Sequence, residues 1–227
     1  MAFPFTHLCV AWRMLEARPK TEQDAAQFML GSVAPDAIHY REAFRGAAMS
    51  NIGPAKKITH LCPVSDEIWG HVTDNEGWIE CVKEFLRAHP RDAFAEGFAA
   101  HVVTDIHNNK TIWNKFRTNH PEEAAKGYTS EYYNDMKKIH TRLYQEFPAT
   151  DEIFALLAKA KPQGVSDIIF AEETEAIKQN LLYENFKDTP KTHSGEPHVY
   201  HFVTYDDTLE YIQGAAEFSA SVIASVT

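Results

Sequence analysis

Cysteine is scarce: Cys9, Cys62 and Cys81 are the only three in 227 residues, and none pairs as C-x-x-C. An odd number without that spacing excludes a disulfide framework or a thiolate zinc finger and fits a reducing, cytoplasmic compartment. Positive charge is short as well. Lys plus Arg is 22 against 32 for Asp plus Glu, a formal net charge of −10 with histidines neutral. Such a chain has no general electrostatic affinity for a phosphate backbone or an anionic membrane, so general nucleic-acid binding is not expected. No window approaches the roughly 18 to 20 continuous apolar residues of a membrane span. The start, Met1 to His7, lacks the basic residues and apolar run of a leader peptide. No hairpin signal, internal repeat, low-complexity tract or interdomain linker stands out. G-x-S-x-G, P-loop, G-x-G-x-x-G and H-E-x-x-H motifs are missing, and so is an adjacent His-Asp pair.

What is present is a large apolar fraction, 44% hydrophobic with 12% aromatic, enough to bury a core without staples. Helical periodicity runs through most of the chain. Leu8, Ala11, Trp12 and Leu15 mark a first helix, entered at Thr6 and closed near Pro19. Thr21 to Asp24 resembles a capping box opening a second helix that stops at Gly31. Ser32 to Asp36 reads as a turn, because Pro35 disfavours helical geometry at Ala34. Residues 41–55, with Gly46, Gly53 and Pro54, read as a loop. Further helices are expected over Lys56–Leu61, Asp74–Ala88, Asp92–Asn108, Ser130–Glu146, Asp151–Ala160, from a Ser166 cap to about Tyr183, and from Leu209 onward. Residues 187–204 read as a long polar loop. One all-α domain spanning residues 1–227, a multi-helix bundle, is the simplest expectation.

The richest polar signal is histidine, with 12 copies; neutral imidazole is the commonest metal ligand. In the helix beginning at Asp92, the residues Phe94, Phe98, His101 and Asp105 are spaced 4, 3 and 4 and share one face. The aromatic part of that stripe points inward, and His101 and Asp105 go with it. Ala93, Ala95, Gly97, Ala99 and Ala100 allow neighbouring helices to come close. An imidazole and a carboxylate delivered together into a bundle can coordinate a metal, or they can form a hydrogen-bonded pair that only satisfies two buried polar groups. His-x-x-x-acid is a weak pattern by itself.

Three further segments give it an order: Thr6-His7, Pro35-Asp36-Ala37 and Thr59-His60-Leu61, followed by His101-x-x-x-Asp105 in an Ala/Gly-rich helix. In this order the chain resembles the zinc-dependent phospholipase C family, in a superfamily with single-strand-specific zinc nucleases. The words Phe28 to Ala37 and Gly97 to His101 match the style of its shorter members. The resemblance covers residues 5 to 115. It implies an all-helical bundle with a metal cluster at one end, acting on phosphodiesters. It implies Asp36, His60, His101 and Asp105 as ligands of a first zinc, Asp105 also as a bridge to a second, and His7 on that second metal. Other divalent metals suit the same residues.

The chain also departs from the family. Secreted members place the mature N-terminal amine and carbonyl on the second zinc, whereas six residues precede His7 here. The family's third site needs His-x-x-x-Glu downstream, and no histidine in this chain has Glu four residues later. His107 and Asn108 have the wrong spacing, and His120 with Glu122 and Glu123 is an imperfect substitute. His71, His89 and His140 read as surface or capping residues, and Trp69, Trp78 and Trp113 as core anchors. His193, His198 and His201 with Tyr200 read either as part of a pocket or lid, or as a solvated loop.

The expected function is a metal-dependent hydrolase of a phosphate ester, foremost a phosphodiester, with a small molecule or a lipid as substrate. Asp36 is the expected proton acceptor as well as a ligand. A lipid substrate fits less well, since no exposed amphipathic membrane anchor is visible. The alternative is a non-catalytic helical metal-binding protein that retains the ligand cluster.

Overall fold

A computed structural model describes residues 3–44, 49–62, 70–191 and 198–226. Trp69 and His193 lie outside the described residues. Those described form eleven α-helices and no strand, with one isolated bridge between Val165 and Ile169. The all-α expectation is met. None of these helices is long and apolar enough to cross a membrane.

Helix α1 (Pro4–Ala17) starts earlier than the expected Thr6 cap, with Pro4 in its first turn. Proline's missing N–H costs nothing there, and Thr6 is instead buried inside the helix. Helix α2 (Glu22–Gly31) is capped by Thr21, whose Oγ1 accepts from the Asp24 amide at 3.2 Å. The segment after it is tighter than a simple turn: a 3₁₀ helix, Ala34–Tyr40, with Pro35 in its first turn.

Helix α3 (Met49–Thr59) corrects the expected loop at 41–55. Gly53 and Pro54 read as breakers, yet Pro54 forfeits only one helical hydrogen bond. Burial of Ile52 and Lys56, each 3% exposed, outweighs that loss. Helices α4 (Asn75–Ala88) and α5 (Ala93–Asn108) are capped by Asp74 and Asp92. A π-helical turn, Asn109–Trp113, continues α5 into the short α6 (Asn114–Asn119) and α7 (Pro121–Ala125), where no element was expected.

Helix α8 (Glu131–Glu146) is capped by Ser130, and α9 (Thr150–Lys159) follows. Ser166 caps no helix. Residues 165–169 close on themselves through the bridge, with Asp167 at a φ of 60°. Helix α10 (Ala171–Gln179) then begins where the Phe170 amide meets the Glu173 carboxylate at 2.9 Å. It runs into a second π turn, Asn180–Glu184. Helix α11 (Tyr205–Ala224) opens with a capping box of Thr204 and Asp207.

Helix α5 lies at the centre and packs on α2, α11 and α4. The α2–α5 crossing depends on two glycines. A Cβ at Gly97 would lie 2.0 Å from the Phe28 carbonyl oxygen, and one at Gly31 would lie 2.1 Å from that of Phe94. Backbones this close leave no room for a methyl group. The crossing brings the residue after α2, Ser32, against His101.

Candidate metal centre

Five side chains from four elements meet beside this crossing. His7 comes from the first turn of α1, Asp36 from the 3₁₀ segment, His60 from just after α3, and His101 and Asp105 from α5. His7, His60, His101 and Asp105 are each 4% exposed or less. Two groups of three converge closely enough for an ion among the described residues: Asp36 with His60 and His101, and His7 with His101 and Asp105.

The distances divide these residues around a first and a second position. His60 Nε2 lies 3.6 Å from Asp36 Oδ1 and 3.6 Å from Asp105 Oδ2. His101 Nε2 lies 3.3 Å from His60 Nε2 and 3.8 Å from Asp105 Oδ2. Ligands about 2.0–2.1 Å from a tetrahedral ion stand roughly 3.3–3.4 Å apart, so the spacing suits one. On the other side, Asp105 Oδ1 faces His7 Nε2 at 3.7 Å, and the His7 and His101 rings stack with centroids 3.7 Å apart. The two oxygens of Asp105 thus face two different positions. His101 Nε2 can serve only one of them, which leaves the second with fewer donors.

Hydrogen bonding provides a test of fit. His101 Nδ1 lies 2.8 Å from the Ser32 carbonyl oxygen and His60 Nδ1 lies 3.0 Å from that of Lys56. A carbonyl only accepts, so His101 Nδ1 carries the proton and donates, whereas His60 Nδ1 also lies 3.0 Å from the Thr59 hydroxyl, which can donate to it. His101 Nε2 is therefore an acceptor, and it lies 3.3 Å from His60 Nε2, which also faces Asp36 Oδ1 at 3.6 Å. Both nitrogens of the buried His7 also lack a hydrogen-bond partner. Orphaned ring nitrogens are unfavourable in the interior, and a cation bound beside His7 would satisfy one of them. The cluster fits a metal ion.

Burial, reinforced by His101, holds His7 well below the usual imidazole value, and burial lowers His60 to about 4. Both rings are neutral near pH 7, the state that binds a metal. For Asp36, burial acts upward, but the Lys56 ammonium and the His60 contact outweigh it and hold the carboxyl well below the ordinary range.

Lys56 was missed by the sequence reading. Its Nζ lies 2.8 Å from Asp36 Oδ1, with the side chain 3% exposed. The signal was available: Lys56 precedes His60 by one helical turn and shares its face. Both Lys56 and Asp36 line a cavity of about 320 Å³, whose walls include Phe3, Tyr40, Tyr128 and Tyr133. A larger cavity of about 450 Å³ contains His107 and His120 and none of the five converging residues.

Other histidines take other roles. His71 is exposed. His89 ends α4, its Nδ1 2.8 Å from the Phe85 carbonyl oxygen. His140 corrects the expectation of a surface residue: it packs on Phe3 and Phe186, with ring centroids at 5.2 and 4.9 Å. His198 and His201 do not reach the cluster. Their loop is tied to α8 through Asp135 Oδ2, which accepts from the His201 and Phe202 amides at 2.8 and 2.7 Å. His120 stays among Phe116 and Phe202 and joins no converging group with Glu122 and Glu123. Trp78 is a core anchor, donating to the His60 carbonyl at 2.7 Å, and the half-buried Trp113 donates to that of Gly70 at 2.6 Å. The chain has no match among family models, curated proteins or solved structures.

Proposed function

We propose that this protein is a metal-dependent hydrolase of a phosphate ester, foremost a phosphodiester, with zinc as its metal. One observation carries the reading: His60 Nε2 and His101 Nε2 converge at 3.3 Å beside the Asp36 and Asp105 carboxylates, and the buried His7 next to them has no hydrogen-bond partner on either ring nitrogen. Asp36, His60, His101 and Asp105 would hold the first ion, and Asp105 with His7 a second, weaker one. When bound, the metal supplies Lewis acidity toward a phosphoryl oxygen and a bound water acidified toward about pH 7. The ordered likeness of residues 5 to 115 to zinc-dependent phospholipases C supports the same reading.

The residues of the chain divide the work. The Ser32 carbonyl holds the His101 ring in the ligating tautomer, and the Lys56 carbonyl and Thr59 hydroxyl position the His60 ring. Lys56 orients Asp36, whose low pKa keeps it an acceptor. Asp36 is the ligand that also lines the cavity, so it is the proposed proton acceptor.

A second reading has an observation in its favour. Four of the five side chains are almost fully buried, as in a structural metal site without turnover. Hydrolysis of bis(4-nitrophenyl) phosphate separates the two. The hydrolase reading expects turnover that needs the metal and falls at least 100-fold in Asp36→Asn. Retained metal with no turnover of diester or monoester would favour the structural reading.

A further inference from the structure

Beside the cluster, the cavity of about 320 Å³ presents a charge pattern that indicates what it accepts. Lys56 is its cation, almost fully buried at one wall. Asp36 is its carboxylate among the lining residues, and that carboxylate is already engaged by Lys56 at 2.8 Å. The remaining lining is mostly aromatic and aliphatic, Tyr40, Tyr128 and Tyr133 among it, with His39, Asn180 and Asn185 as uncharged polar groups. Tyr128 and Tyr133 stack on each other with centroids 4.6 Å apart and an interplanar angle of 20°, which leaves one face of each ring for other contacts.

We infer that this cavity takes a small phosphate ester whose phosphoryl group binds against Lys56 and whose remainder is uncharged, flat and apolar. The inference rests on the hydrolase reading for its phosphoryl group and extends it to a substrate class. Lys56 is itself paired with Asp36, but once Asp36 also serves a metal ion the site carries net positive charge, and little water screens that charge from an anion. A flat apolar group gains by covering the tyrosine faces. A cationic head group gains nothing comparable: it would meet the Lys56 ammonium, and the cavity has no unengaged carboxylate among its described lining residues to receive it. The volume, at the small end of ligand sites of roughly 300–1,000 Å³, suits one small molecule. Lys56 is thus a binding and positioning residue, acting on the anion as well as on Asp36.

Calorimetric binding of phenyl phosphate, phosphocholine and inorganic phosphate to the metal-loaded protein tests this without depending on turnover. Phenyl phosphate is expected to bind at least tenfold more tightly than phosphocholine. Lys56→Met is expected to keep the first metal and weaken inorganic phosphate at least tenfold, with Lys56→Arg recovering much of the loss. Tyr128→Ala is expected to weaken phenyl phosphate and leave inorganic phosphate unchanged. Equal binding of the two esters, or phosphate binding that ignores Lys56→Met, overturns the inference. So does loss of metal in both Lys56 variants, which would make Lys56 a structural partner of Asp36 alone. A wild-type protein that takes up no metal is a different result, and it overturns the hydrolase reading itself.

Discussion

His7 on α1 is fully buried and His140 on α8 is half-buried among aromatic rings, and each has at least one ring nitrogen without a hydrogen-bond partner. Burial holds the first well below its usual pKa and lowers the second to about 4. Their surroundings differ. His7 stacks on His101 and faces Asp105 Oδ1 at 3.7 Å. His140 faces Phe3, Phe5 and Phe186, and its one polar partner is the Asn185 carboxamide at 2.9 Å. A buried neutral imidazole is therefore no sign of a metal site by itself. What distinguishes the His7 region is convergence, with several acceptors aimed at the same small volume and few donors to satisfy them.

The contrast breaks most clearly by removing one converging group. His101→Ala is expected to lower affinity for the first metal at least 100-fold while circular dichroism shows the helices intact. Asp105→Asn, nearly the same shape, should do comparable damage, since it removes the charge shared by both positions. His71→Ala is the control: His71 is exposed, and its loss should change neither metal affinity nor stability by more than roughly 0.5 kcal/mol. Metal titrations in which His101→Ala and Asp105→Asn match the parent would make the pair a structural one, like His140.

The second test acts on the scaffold that brings Ser32 to His101. Gly97→Ala puts a methyl 2.0 Å from the Phe28 carbonyl oxygen, where backbone has to move. A loss of about 3 kcal/mol in denaturant unfolding is expected, with weaker metal binding, because the α2–α5 crossing aligns the carbonyl that orients His101. A fully stable variant would show that the crossing can widen without cost.

Much of this arrangement was legible in the sequence. The 4-3-4 stripe of Phe94, Phe98, His101 and Asp105 is a property of one helix, and its buried face follows from the aromatic residues alone. The small residues of α5 foretold the close approach of α2. Features set by tertiary packing were not legible. Pro54 reads as a breaker, but the burial of Ile52 and Lys56 carries α3 through it. Ser166 has the chemistry of a cap, but the chain turns at Asp167 and the helix waits for Glu173. The lysines beside His140 suggested a solvated face, although Met136, His140 and Leu143, at spacings of 4 and 3, lie on the apolar stripe of α8. The convergence of His7, Asp36 and His60 on α5 depends on four elements meeting, and no local pattern states that.

A smaller effect sharpens the other half of the comparison. The His140 pKa falls from 6.5 to about 4 in the folded chain. The unfolded chain therefore binds a proton that the native one does not as pH falls below 6.5. The stability gained by keeping the ring neutral is fully present above that value and is lost progressively toward pH 4. At pH 5 the loss is about 2 kcal/mol relative to pH 8. His140→Phe keeps the aromatic packing and should remove this part of the acid sensitivity, so its advantage over the parent grows as pH falls. Equal acid sensitivity in parent and variant, with metal content held fixed, would show that His140 titrates normally.

The claim that the five side chains form a metal centre is tested most directly by titrating metal-stripped protein with zinc and counting bound ions by elemental analysis. The proposal predicts one tightly held ion per chain at Asp36, His60 and His101, and a second held more weakly beside His7 and Asp105, because both groups share His101. No uptake at the first position would contradict it, and the facing nitrogens of His60 and His101 would then be a packing arrangement without a ligand.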